Sequence, residues 1–202
     1  MNLLRFRSLL MLLVLLWQPA ALAHSFGAGT DAFVSFLNAV SIFVSDPILL
    51  LPSISLGILA AAYKTRGLVD IWPWLFGSHL VGFLTASLVG DWVNSILLVV
   101  GLAVATIAAL VSKPAKILVI SSGVITGVLT MLVSLQGHAW HELSMSVYVG
   151  LFAGASMGVV ISSGIAEVAL EKLPEKVSKI ALRVAASWLA AIQLLAVMLL
   201  IA

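Results

Sequence analysis

The chain contains no cysteine. That excludes disulfides, thiolate metal sites, iron–sulfur clusters and cysteine nucleophiles. Any metal must be held by histidine, carboxylate, methionine or backbone oxygen. Charge is also scarce, at 9% of residues, where a soluble domain carries about one-quarter. No glycine-rich phosphate-cradling loop is present, because the glycines sit inside apolar segments. The H-E-x-x-H pattern of helical zinc hydrolases is missing. Ser162-Ser163-Gly164 has no histidine or lysine base near it in the sequence, so a serine–histidine pair has only one of its members there. No acid–base or nucleophile set converges, and the chain is read as a non-enzyme. The basic segments are short, which fits orientation in a membrane rather than nucleic-acid binding.

What is abundant is hydrocarbon. The chain is 62% hydrophobic, with a mean hydropathy of +1.22, which makes it an integral membrane protein. Met1 to Ala23 reads as a secretory signal peptide. Arg5 and Arg7 form its basic start, Ser8 to Trp17 its apolar centre, and Ala21-Leu22-Ala23 a small-residue cleavage site. The other reading is a retained first helix, for which the apolar run is short. Cleavage after Ala23 makes His24 the mature N-terminus, and a free amine beside an imidazole can chelate a metal.

Residues 24–46 form an exterior or interfacial segment. Phe33, Phe36, Leu37 and Val40 there fall at i, i+3, i+4, i+7, one helical face. Asp46-Pro47 reads as a helix start, with Asp as N-cap and Pro at N1. Residues 47–202 then hold six apolar segments, at about 47–63, 71–90, 93–112, 117–135, 143–166 and 178–201. Each is near the roughly 20 residues a helix needs to cross the bilayer core. The expected fold class is therefore all-α: a bundle of six transmembrane helices after a cleaved signal peptide. Pro52 is expected to kink the first of them unless a neighbour satisfies the carbonyl it frees.

Basic residues set the orientation. With the mature N-terminus outside, Lys64, Arg66, Lys113, Lys116, Lys172, Lys176, Lys179 and Arg183 all fall on the cytoplasmic side. The remaining basic residues, Arg5 and Arg7, are in the signal peptide. The positive-inside rule thus agrees with the signal peptide, and both mature termini face the exterior. Trp72, Trp74, Trp92 and Trp140 stand near span ends, as an interfacial belt would have them. Gly150, Gly154, Gly158 and Ser162 recur every fourth residue in the fifth span. This small-residue stripe admits a close helix neighbour, and packing within the bundle is favoured over a dimer interface.

The densest polar stretch is Gln136-Gly137-His138-Ala139-Trp140-His141-Glu142. If the fifth helix begins near His138, the i, i+3 and i, i+4 spacings place His138, His141 and Glu142 on one face. Two imidazoles and a carboxylate suit nickel, cobalt, zinc, copper or ferrous iron. A solvated loop with incidental histidines is the alternative. The outer side also carries His24, Asp31, Asp46 and Asp91, with no lysine or arginine, and so would attract divalent cations. His79 lies in the second span, about 12 Å deep at 1.5 Å per residue. An ionisable group there marks a polar path through the bundle, or else a hydrogen-bonded packing contact next to Ser78. Asn94 and Gln193 are placed to bond between helices.

Three stretches resemble the HupE/UreJ family of hydrogenase- and urease-associated membrane proteins. The start at Ala23-His24 with a Phe-rich continuation is similar to the family's mature start. Leu56-Gly57-Ile58-Leu59-Ala60-Ala61 resembles its Val-Gly-Leu-Trp-Ala-Ala. Gly137-His138-Ala139-Trp140-His141-Glu142, followed by Tyr148-Val149-Gly150-Leu151, resembles its histidine-rich motif ending in Glu, with Tyr and Gly-Phe after it. The family's first-span motif, a histidine, five intervening residues and then Asp-His, has no counterpart; Asp46-Pro47 stands near that place. The resemblance implies a permease for nickel or cobalt in the inner (plasma) membrane. The ligands of such a carrier are read from the residues themselves: His138, His141 and Glu142 outside and His79 within the bundle, with Asp46, Asp91 and His24 as further metal-site candidates. The metal would be cargo, with no tightly bound cofactor. Partners would be the bilayer, the ion and a membrane or metalloenzyme-maturation protein, with no nucleic acid. The alternative is a non-transporting membrane subunit or assembly factor whose metal site has degenerated.

Overall fold

A computed structural model describes residues 31–88, 90, 92–138 and 141–201. The signal-peptide expectation for 1–23, and the candidates His24 and Asp91, lie outside them. The described residues form seven helices and no strand: α1 (Ala32–Ser45), α2 (Pro47–Tyr63), α3 (Gly67–Thr85), α4 (Trp92–Leu110), α5 (Lys116–Ser134), α6 (Met145–Lys172) and α7 (Glu175–Ile201). A short 3₁₀ turn, Ala86–Leu88, follows α3.

Five of these, α3 to α7, are long and apolar enough to cross a membrane. The sixth expected span differs from its sequence description. Residues 47–63 do not qualify alone; α1 and α2 qualify together, bent by 74° at Asp46. The bend follows from local chemistry. Asp46 leaves the helical region (φ −96°, ψ 110°), its carboxylate accepts from the Ile48 N–H at 2.8 Å, and Pro47 occupies the first turn. One helix thus ends where the next is capped. Pro52 is accommodated inside α2.

The α1 face that packs is not the one its apolar periodicity suggests. Ser35, Ala39, Ile42 and Phe43 are buried, whereas Phe33 and Leu37 are exposed. In lipid an apolar face needs no protein cover, and small residues decide where helices meet. The small-residue stripe of α6 confirms this. A Cβ on Gly150 would lie 2.7 Å from Ala39 Cβ, one on Gly154 would strike the Phe43 ring, and one on Gly158 would lie 2.9 Å from Ser53 Cβ. A Cβ on Gly57 would strike Ser162 Oγ. The stripe is therefore filled from within the chain, by α1 and then α2 running parallel to α6.

α2 is the central helix and touches every other one. α3 packs on α5, and α4 on α7. α6 and α7 are longer than the apolar segments foretold, because α6 continues through Glu167 and Glu171 to Lys172 and α7 begins at Glu175. Only Leu173-Pro174 separates them, since polar residues can extend a helix beyond the hydrocarbon. The basic residues gather at one end. Lys64 Nζ pairs with Asp70 Oδ2 at 2.7 Å, and Asp70 holds the Lys64 ammonium above its usual pKa. Arg183 Nε donates to the Ala109 carbonyl at 2.7 Å, fastening α7 to the end of α4.

Two apolar clusters fill the bundle. One, toward the end that carries residues 135–144, includes Phe43, Leu49, Leu97, Leu129, Met131 and Leu151. The other, toward the basic end, includes Leu56, Leu59, Ile71, Leu75, Val104 and Val159.

Candidate functional site

Between these clusters lies a layer of polar and small residues. On α2, Ser53 and Ser55 stand between Leu49 and Leu56; on α3, Ser78 and His79 follow Leu75; on α4, Gly101 stands between Leu97 and Val104; on α5, Thr126 precedes Leu129. Gln193 of α7 reaches in, its Nε2 donating to Ser55 Oγ at 3.0 Å. A Cβ on Gly101 would strike the Gln193 Oε1, so the glycine makes room for the carboxamide.

His79 is the ionisable member of this layer. It is 1% exposed. α3 begins at Gly67, four residues earlier than the apolar run, which places His79 about 18 Å along a helix about 28 Å long at 1.5 Å per residue. The close approach of α3 to α5 fixes its position. A Cβ on Gly127 would strike Ser78 Oγ, and one on Gly82 would lie 2.5 Å from the Val128 carbonyl oxygen. The imidazole meets Phe152 of α6 edge-on, with centroids 6.0 Å apart and an 81° interplanar angle. Phe152 also meets Phe76 and Phe83 at 5.8 and 6.1 Å, and Phe83 stands edge-on to Tyr148 at 4.9 Å. Of these rings, Phe83 and Tyr148 lie on the side of His79 toward the end of the bundle where α6 begins.

Three groups in the layer are left without a hydrogen-bond partner: His79 Nδ1, Thr126 Oγ1 and Gln193 Oε1. In hydrocarbon an unmade hydrogen bond costs on the order of several kcal/mol. Other hydroxyls avoid that cost by bonding back to their own helix. Ser53 and Ser55 donate to the Leu49 and Leu51 carbonyls at 2.8 Å each, and Ser78 to Leu75 at 2.6 Å. Thr126 belongs to a column on α5, Ser122-Thr126-Thr130-Ser134, all buried. Sequence reading passed over this column, although its four-residue spacing is legible.

The second region is the mouth between α5 and α6. Here the structure corrects the expected geometry. α6 begins at Met145, and residues 135–138 and 141–144 are turns and irregular chain rather than the first turn of a helix. Gly137 takes a positive φ of 79°. His138 Nδ1 and Glu142 Oε2 stand 3.6 Å apart, an ion-pair distance when the imidazole is protonated. His138 is largely covered; Glu142 and His141 are exposed. Ala139 and Trp140 lie outside the described residues. Among the described residues, no three histidine or carboxylate side chains group as a metal site.

The remaining candidates are dispersed. Asp46 caps α2 at the bend, and the α1 contacts around it fall on Gly150 and Gly154, a different face of α6 from the Phe152 that meets His79. Asp31 is exposed ahead of α1. Asn94 lies on α4 with its Oδ1 buried and unpartnered. Comparison with family models, curated proteins and solved structures finds no match.

Proposed function

We propose that the chain is a multi-pass membrane carrier of a divalent transition-metal ion, nickel or cobalt by its resemblance to the HupE/UreJ family. The observation that carries this reading is His79, fully buried within a span, with Nδ1 unpartnered and Thr126 Oγ1 equally unsatisfied in the same layer. A neutral imidazole with a free ring nitrogen is a ligand for borderline metals. An interior polar layer between two apolar clusters is where a weak, transient site serves passage, since an ion must be able to leave again. His138 and Glu142 provide nitrogen and carboxylate at the mouth, with His141 exposed beside them, to collect the ion from water. The Phe83, Tyr148 and Phe152 rings stand between the two and would have to part. The carrier itself would sit in the plasma membrane with the basic end inside.

The test is uptake into liposomes containing the purified protein, run with nickel, cobalt, zinc and copper. His79→Ala is expected to lower flux at least about tenfold, as for loss of an obligatory ligand. His138→Ala and His141→Ala are expected to raise the half-saturating concentration a few-fold. Flux absent for every metal, or equal in all variants, rejects the carrier.

One observation favours a second reading, a non-transporting membrane subunit or assembly factor of a metalloenzyme system. No three ligands group among the described residues, and the family's first-span Asp-His pair has no counterpart. Protein purified without chelator or affinity tag separates the two. Absence of metal together with absence of flux supports the subunit.

A further inference from the structure

The helices meet in two ways, and the difference marks where the bundle can part. α3 and α5 are locked by close backbones. A Cβ on Gly127 would strike Ser78 Oγ, and one on Gly82 would lie 2.5 Å from the Val128 carbonyl oxygen. α1, α2 and α6 are locked in the same manner through Gly150, Gly154 and Gly57. Backbones this close cannot slide past one another without overlap, so each group moves as one piece.

The contact between α3 and α6 is of another kind. It is slight and made by rings: Phe76, His79 and Phe83 on α3 against Tyr148 and Phe152 on α6, with centroids 4.9 to 6.1 Å apart. The glycines of α3 and α6 either pack on other helices or, at Gly77 and Gly164, face open space. Rings part by turning about their own χ angles, which interlocked backbones cannot do. Elsewhere the α3–α5 piece is held along α5, which packs on α2 and α4. It is also held at the basic end, where a Cβ on Gly67 would strike the Ala60 carbonyl oxygen and Lys64 pairs with Asp70. At the opposite end the link from Ser134 to Met145 is turns and irregular chain where it is described, which does not fasten α5 rigidly to α6.

We propose that α3 and α5 form a gate that swings as one piece about its basic end, opening along the ring seam at the other end and uncovering His79. The imidazole rides on the moving piece against Phe152, so parting the seam brings water to it. Rocking of rigid pieces is a general way to give a buried site access to one side of a membrane. What the opening admits rests on the carrier reading; the opening itself does not.

The chain has no cysteine, so spin labels on introduced cysteine pairs report chosen distances in the full-length protein in liposomes. Leu84→Cys/Val149→Cys spans the seam where it opens, Val69→Cys/Val168→Cys spans the basic end, and Leu84→Cys/Ile125→Cys lies within the moving piece; all of these positions are exposed. The 84–149 pair is expected in two distance populations and the other two pairs in one each. Phe152→Leu keeps the apolar bulk and removes the ring. An aromatic pair shifts an equilibrium by about twofold to tenfold beyond its buried area. Losing the pairs with Phe76, His79 and Phe83 should therefore favour the longer 84–149 distance by about tenfold or more, with the 84–125 distance unchanged. Modification of His79 by diethylpyrocarbonate, read by mass spectrometry, should quicken by the same factor. A single 84–149 distance in both parent and Phe152→Leu overturns the gate, as does equal spreading of all three pairs or unaltered modification of His79. Two populations without metal flux uphold the gate and reject the carrier; flux with a single 84–149 distance does the reverse.

Discussion

Imidazoles occur in two surroundings here, one in a loop open to water and one enclosed by the bundle. At the mouth, His138 stands 3.6 Å from Glu142 in a loop that reaches water. In the interior, His79 has aromatic rings beside it, no carboxylate paired with it among the described residues, and an unpartnered nitrogen. The mouth can take up or release an ion at little cost, because it reaches water and Glu142 is exposed. The interior can accept only a neutral ring or a ligand that completes its bonding. The same difference runs through the glycines. Gly127 is required because α3 presses against it, whereas Gly137 has open space around it and is required by its positive φ.

The contrast would break most visibly under an obligatory charge. His79→Lys should cost about 2.5–3.5 kcal/mol, the insertion penalty of a lysine at mid-span, seen as lost folded yield and a lowered melting temperature. His138→Lys should stay within about 0.5 kcal/mol, as for other surface changes. Equal tolerance at the two positions would mean that water reaches His79 from one side. A smaller effect is expected from the glycines. Gly127→Val should wedge α3 from α5 at a cost of about 1–3 kcal/mol, and Gly137→Ala should cost about 1 kcal/mol from backbone alone. Thermal melts of both variants, with uptake beside them, check whether only the interior change lowers flux. The smallest effect on stability concerns Thr126→Val. It replaces an orphaned hydroxyl by a methyl of the same shape, so the melting temperature should hold or rise slightly, while metal uptake falls. A drop in stability without a change in uptake would show that the hydroxyl serves packing alone.

Much of this architecture could be read along the chain. Asp46-Pro47 announced a helix start and the structure places one there, with the cap bond made. The stripe Gly150-Gly154-Gly158-Ser162 announced a close neighbour, and α1 and α2 supply it. The mouth was harder to read. The i, i+3, i+4 spacing of His138, His141 and Glu142 carries information only on a helix, and α6 begins after all three, at Met145. The polar layer was harder still, because it is assembled from single residues on five helices. Ser53, His79, Gly101, Thr126 and Gln193 share a level only after those helices have been packed.

Hydropathy alone determined that this chain forms helices suited to a membrane, because a backbone in hydrocarbon must satisfy its own hydrogen bonds. The basic residues alone determined which turns share an end. Three things belonged to the tertiary structure: that α1 and α2 reach spanning length only together, across a 74° bend, that α1 turns Ser35 and Ala39 rather than Phe33 and Leu37 to its neighbour, and that His79 sits in a layer with unmet hydrogen bonds. Each depends on which backbones come close, and closeness is fixed by small residues meeting across helices, a relation that no single segment of sequence contains.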